Sequence, residues 1–154
     1  MKSWLQQRFA DPRPIMMGVL NVTPDSFSDG GRFIRPEPAI THALGMVGEG
    51  AEIIDVGGES TRPGAVRVDA AEQIRRTCDV IGQIRAALPD NVHISIDTTL
   101  PVVAEAALAA GATLINDVQA GMENGMLELA ARSGAPIMLM HMRGTPATMQ
   151  QDPI

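Results

Sequence analysis

Five short apolar runs in this chain end on residues able to bind a ligand: Asn21, Asp55, Asp97, Asn116-Asp117 and His141. The amide oxygen of Asn21 is a hard ligand. It suits a Mg2+ ion that keeps most of its waters and bridges to substrate phosphates. Its other reading is an Asx-type turn before Thr23-Pro24. Asp97, when ionised, can only accept hydrogen bonds, whereas Asn116 can accept or donate. Asp97 is also placed to cap a helix that starts near Thr99–Pro101.

The elements that must hold these groups read as parallel strands. Runs 15–22, 52–57, 93–97, 113–118 and 136–141 are nearly continuous in apolar residues, as expected when both faces of a sheet are covered. Helical patterns separate them. Asp69 and Glu72 resemble a capping box, and Ile74, Cys78, Ile81 and Leu88 follow on one stripe, which makes Cys78 a packing residue. Pro101 suits a first helical turn, with Val102, Val103, Ala106, Ala107 and Ala110 turned to the sheet. Stretches 38–49 and 124–133 complete the helices. Gly50, Gly111 and Gly134, each followed by Ala, supply left-handed residues that end a helix just before a strand.

The segments after the first two strands differ from these tight turns. Residues 21–35 and 58–68 carry little helical or strand pattern, and long loops in compact domains are usually functional. Alternation of strand and helix predicts an α/β fold with a parallel sheet. In such folds ligands bind beyond the carboxyl ends of the strands, where all five polar ends fall.

Composition narrows the partners. With 45% hydrophobic and 19% charged residues, the 154-residue chain reads as one soluble globular domain. A net charge of −6 gives no reason to expect nucleic acid, so an anionic ligand must be held by local groups. The single Cys78 excludes an intramolecular disulfide, and no Cys/His cluster has zinc spacing. No apolar run approaches the ~18 residues of a membrane span, and residues 1–13 lack the apolar core of a signal peptide. The expectation is a cytoplasmic protein without a membrane partner.

The run Gly18 to Gly31, GVLNVTPDSFSDGG, closely resembles the first signature of dihydropteroate synthases, and Asp55 to Gly64, DVGGESTRPG, their second. Ile96-Asp97-Thr98, Ile115-Asn116-Asp117-Val118 and Met140-His141-Met142-Arg143-Gly144-Thr145-Pro146 continue the resemblance in order, so that it covers nearly everything from Pro14 onward. It implies a TIM-type (β/α) barrel that condenses 6-hydroxymethyl-7,8-dihydropterin diphosphate with p-aminobenzoate, releasing diphosphate and forming dihydropteroate for folate synthesis. By the same resemblance Asn21 is the Mg2+ ligand and Thr61 belongs to the pterin diphosphate site. Asp97 and Asn116 bond the pterin ring, and Phe27 and Pro63 border the p-aminobenzoate pocket where sulfonamides also bind. Arg62, beside Pro63, is a further candidate on the substrate side. For it and for Arg143 the competing reading is a solvated surface arginine. His141 reads as a core histidine bonded to a neighbouring rim group. No general acid or base is implied beyond these binding groups.

The chain departs from the family in extent. A full barrel has eight strands over about 250 residues, and five strands are legible here. The family's later Asp and Lys of the pterin pocket and its Arg/His pair at the diphosphate have no counterpart. The expectation is therefore one pterin-binding domain over 1–154, a partial barrel truncated after about the fifth strand and lacking activity on its own. The missing strands would come from a longer product, a second copy in a homodimer or a complementing C-terminal half. Two rivals remain: a methyltetrahydrofolate methyltransferase-type barrel, and a non-catalytic pterin-binding fragment.

Overall fold

A computed structural model describes residues 4–22, 36–59 and 68–141. The five expected strands are present and slightly shorter than their apolar runs: β1 (Met17–Asn21), β2 (Ile53–Gly57), β3 (His93–Asp97), β4 (Leu114–Asp117) and β5 (Ile137–Leu139). They pair in chain order, all parallel. Helices alternate with them: α1 (Trp4–Arg8), α2 (Pro36–Gly48), α3 (Ala70–Ala87), α4 (Pro101–Ala110) and α5 (Met126–Ser133). This is the arrangement of part of a (β/α) barrel, five strands against the eight of a closed one.

Successive strand residues point to opposite faces. Leu20, Ile54, Val56, Ile94, Ile96 and Ile115 are fully buried against the helices, together with Val80, Ile81 and Ile84 of α3 and Val103, Ala104 and Ala107 of α4. Each large aliphatic side chain so buried stabilises the fold by roughly 1.5–3 kcal/mol. The alternate set, Met17, Val19, Asn21, Asp55, Ser95, Asp97 and Asn116, lies on the other face. That face is open at its β1 edge, where Met17 and Val19 are 39% and 54% exposed.

Two helix stripes differ from expectation. On α3 the buried positions are Gln73, Thr77, Val80, Ile81 and Ile84, with Ile74 and Cys78 only partly covered. Ile81 and Leu88 are buried as expected, while Gln73 and Thr77, polar but hydrogen-bonded, take the buried places expected of Ile74 and Cys78. Thr77 Oγ1 donates to the Gln73 carbonyl at 2.8 Å. On α4 the buried set is Val103, Ala104 and Ala107, and Val102 is exposed.

Helix ends follow the local chemistry. Asp69 accepts from the Glu72 N–H at 2.8 Å, and Pro101 occupies the first turn of α4. Gly111 and Gly134 end α4 and α5 at φ 119° and 71°, and Gly50 has φ 108°.

The sequence pattern did not reveal α1. Five residues are too few to form a helix by propensity. Tertiary contacts hold it across the amino ends of the strands instead. Arg8 donates to both Glu52 carboxylate oxygens at 2.8 and 2.9 Å, and the Trp4 ring stacks on His93 with centroids 3.7 Å apart. α1 thus lies against the amino ends of β2 and β3.

Candidate active site

The strand register places three of the expected groups on one rung. Asn21 is paired with Gly57, Gly57 with Asp97, Asp97 with Asn116, and Asn116 with Met138. Residues on one rung of a parallel sheet share a face, and three strand spacings separate Asn21 from Asn116, roughly 14 Å. An amide, an acid and a second amide therefore line one side of the sheet at its carboxyl end. Thr61, Arg62, Pro63, Phe27 and Arg143 lie outside the described residues.

Gly57 keeps the middle of that rung open. A Cβ there would stand 3.6 Å from Asn21 Oδ1 and 3.6 Å from both Cβ and Oδ2 of Asp97. These are ordinary van der Waals distances, so a methyl group fits without strain. It would nonetheless fill the floor between amide and acid. Gly57→Ala is expected to leave the thermal midpoint within a few degrees of wild type, as a contact change of under ~1 kcal/mol implies. Affinity for a ligand spanning the two groups should fall about tenfold or more. Calorimetric titration beside a melting curve reads both.

Asp97 has no hydrogen-bond partner among the described residues. Burial, and then the negative fields of Asp55, Glu59 and Asp117, push its pKa up to about 7. It does not cap α4: the residue before that helix is Leu100, and Thr98 Oγ1, not Asp97, accepts from the Leu100 N–H at 3.2 Å. The acid is thus free for a ligand. A carboxyl held near neutrality in a partly dry rim is the kind of group that marks a functional site.

Beside it on the same face lies a polar trio in which Asp55 and Ser95 are buried and Asn116 is partly so. Asp55, 3% exposed, accepts from Ser95 Oγ at 2.5 Å and from Asn116 Nδ2 at 3.0 Å. Burial raises the Asp55 pKa, and the bonds from Ser95 and Asn116 oppose the rise. The polar end Asn116-Asp117 splits between faces. Asp117 is fully buried on the helix side, where its carboxylate accepts from the N–H groups of Gln119 and Gly121, both at 2.8 Å, and shapes the turn after β4. His141 is exposed beyond β5, so its reading as a core histidine does not hold.

Sequence reasoning missed Gln73 and Ser95. Gln73 Nε2 donates to Glu59 Oε2 at 2.8 Å and to the Val68 carbonyl at 3.0 Å, while its Oε1 accepts from Thr98 Oγ1 at 3.0 Å. It fastens both ends of the segment after β2 to the end of β3. A polar residue on an otherwise apolar helical stripe was the available signal.

The donor set fits a hard, hydrated cation rather than a fully caged one. Asn21 is exposed at the end of β1, and a neutral amide oxygen suits a Mg2+ ion that completes its shell with water and phosphate oxygens. Among the described residues no group of three or more His, Cys, Asp or Glu side chains could hold a metal. Nor, among them, is any helix long and apolar enough to cross a membrane.

A five-stranded parallel sheet with alternating helices, and with amide and acid groups at its carboxyl-end rim, defines part of a (β/α) barrel. The chain belongs to the family described as pterin binding enzyme, whose profile matches residues 17–154. Among its relatives, the dihydropteroate synthase of Escherichia coli K12 is 49% identical over 140 residues, covering 91% of this chain and 49% of that protein. The dihydropteroate synthase of Synechocystis is 52% identical over 139 residues, covering 90% of this chain and 47% of that protein. Yersinia pestis dihydropteroate synthase, solved with a sulfonamide drug, superposes with a TM-score of 0.80 at 46% identity, covering 92% of this chain and 51% of the other. The Xanthomonas albilineans enzyme with 4-aminobenzoic acid gives 0.78 at 48% identity, covering 86% and 48%. The chain spans about half the length of the curated relatives it matches.

Proposed function

We propose that this chain supplies five strands of a dihydropteroate synthase barrel, with the four helices between them, and forms one wall of its pterin diphosphate site. The observation that supports this most is the single rung carrying Asn21, Asp97 and Asn116 on one face. A pterin edge carries ring N–H and amino donors beside acceptors. The carboxylate of Asp97 accepts from a donor, in a charge-assisted bond of roughly 1.5–3 kcal/mol, and the amide of Asn116 meets the neighbouring position.

In this reading Asn21 holds Mg2+, which when bound neutralises diphosphate oxygens and so favours their departure. The hydroxyl of Thr61 joins it at the diphosphate, and Phe27, Arg62 and Pro63 border the p-aminobenzoate side. The reaction breaks the C–O bond between the pterin methylene and diphosphate and forms a C–N bond to the arylamine, which then loses a proton. The developing positive charge on the methylene carbon spreads into the pterin ring. An arylamine is already a usable nucleophile, so the protein's work is to orient both partners and exclude water. The remaining three strand–helix units, as a complementing half or a longer product, complete the pocket.

Calorimetric titration tests the reading. The pterin diphosphate should bind the chain in a Mg2+-dependent manner, and methyltetrahydrofolate should not bind. Mg2+-independent binding of methyltetrahydrofolate would instead place the chain with the methyltransferase-type barrels. If Asp97→Asn left pterin affinity unchanged, Asp97 would have no place in the site. Binding without turnover after the missing half is supplied would make it a non-catalytic pterin-binding fragment.

A further inference from the structure

We infer that Asp55 is a positioning residue, turning the Asn116 side chain so that its carbonyl oxygen, not its NH2, meets the ligand beside Asp97. The inference deepens the pterin-site reading and rests on it. Chemistry decides the orientation. Ser95 is fully buried and owns one hydroxyl proton, with two neighbours: Asp55 Oδ1 at 2.5 Å and the Met17 sulfur at 3.9 Å. The sulfur is a weak acceptor, so the proton goes to Asp55.

That leaves Asp55 Oδ2 facing Asn116 at 3.0 Å. An ionised carboxylate has nothing to donate, so only the NH2 of Asn116 can satisfy it. Donation from both Ser95 and Asn116 favours the carboxylate form and opposes the rise that burial causes. The Asn116 carbonyl is consequently turned away from Asp55. With Asp97 adjacent on the rung, the rim presents two acceptors in a row. This arrangement selects a planar heterocycle with N–H donors at neighbouring positions on one edge. An Asn116 free to flip would accept the inverse pattern as well.

Asp55→Asn keeps the shape and reverses the logic. If the substituted amide continues to accept from Ser95, it must direct its own NH2 at Asn116, which then turns its carbonyl inward and its NH2 to the ligand. Asp55→Asn is therefore expected to weaken binding of 6-hydroxymethyl-7,8-dihydropterin diphosphate roughly 10- to 100-fold, the loss for a misdirected hydrogen bond. In an Asn116→Ala background the same change should have no further effect. A residue that merely supports the fold would weaken both backgrounds alike. Ser95→Ala, which removes one tie to Asp55 without touching the amide, should give a smaller loss in the same direction.

The experiment is that double-mutant cycle by calorimetry, with NMR of the Asn116 side-chain amide in isotope-labelled chain. Support consists of the non-additive loss together with a shifted and faster-exchanging Asn116 NH2 signal in Asp55→Asn. Equal losses in both backgrounds, or an unchanged affinity, overturn the inference while leaving the pterin reading standing. Should Asp55→Asn not fold, an unchanged affinity in Ser95→Ala overturns it in the same way. If the wild-type chain binds no pterin yet its Asn116 signal depends on Asp55, the pterin reading falls and the positioning role stands. If neither is seen, both fall.

Discussion

Asp97→Asn is expected to stabilise the chain by about 2–4 kcal/mol at pH 8 and to leave its stability nearly unchanged at pH 4. The carboxyl of Asp97, ordinarily at 3.8, is pushed up to about 7 by burial and by Asp55, Glu59 and Asp117. An acid whose pKa is higher folded than unfolded contributes stability that is fully present below its unfolded value. That contribution is lost as pH rises through the folded value. Between about pH 4 and pH 7 the wild-type fold therefore weakens, because the unfolded chain ionises Asp97 freely and the folded chain resists. An asparagine has no such penalty. Chemical denaturation of both proteins at the two pH values measures the effect, and equal stability at pH 8 would show that Asp97 is not strained by its neighbours. A ligand that donates to the carboxylate also binds more tightly as pH rises through 7. In the proposed reading the group that destabilises the rim is also the one that meets the ligand, a common trade between stability and activity.

A second large effect concerns turnover. In the presence of pterin diphosphate, p-aminobenzoate and Mg2+, the chain alone is expected to form dihydropteroate at least ~10³-fold more slowly than when produced with the three remaining strand–helix units of a close relative. The reason is geometric. Among the described residues β1 and β5 are each paired on one side only, and Met17, Val19 and Leu139 are 39%, 54% and 50% exposed along those edges. Groups that would face the rung of Asn21, Asp97 and Asn116 from across a closed barrel are not supplied by the strands described here. A misplacement of about 1 Å already costs about 10²-fold in rate, and an absent wall costs more. Product formation followed by chromatography distinguishes the two samples. A monomeric chain working at the rate of the complemented one would show that these five strands suffice.

The strands and their order were legible in the residues. Continuous apolar runs ending in Asn21, Asp97 and Asn116 pointed to a parallel sheet covered on both faces; the helix side is covered, and the other face is open at its β1 edge. Glycines at 50, 111 and 134 marked the turns, because a positive φ is something few other residues adopt. Motif resemblance pointed to the pterin binding enzymes. These features are local, or repeat with a short period, and a short period survives in one dimension.

Side-chain partnership required the folded chain. Whether Asp97 capped α4 or stayed free, whether Asp117 joined Asn116 or turned to the helices, and what Asp55 was for all depended on strand register and face. The link from Asp55 to Asn116 joins residues 61 apart in sequence, and that from Asp55 to Ser95 joins residues 40 apart. At the start of α3 Gln73 rather than Ile74 is buried because it found Glu59, Val68 and Thr98 to bond with, and α1 formed because Glu52 and His93 received it. Periodicity records which residues avoid water. A polar residue's role is set by the distant atom that completes its hydrogen bonds, and only packing in three dimensions brings that atom into reach.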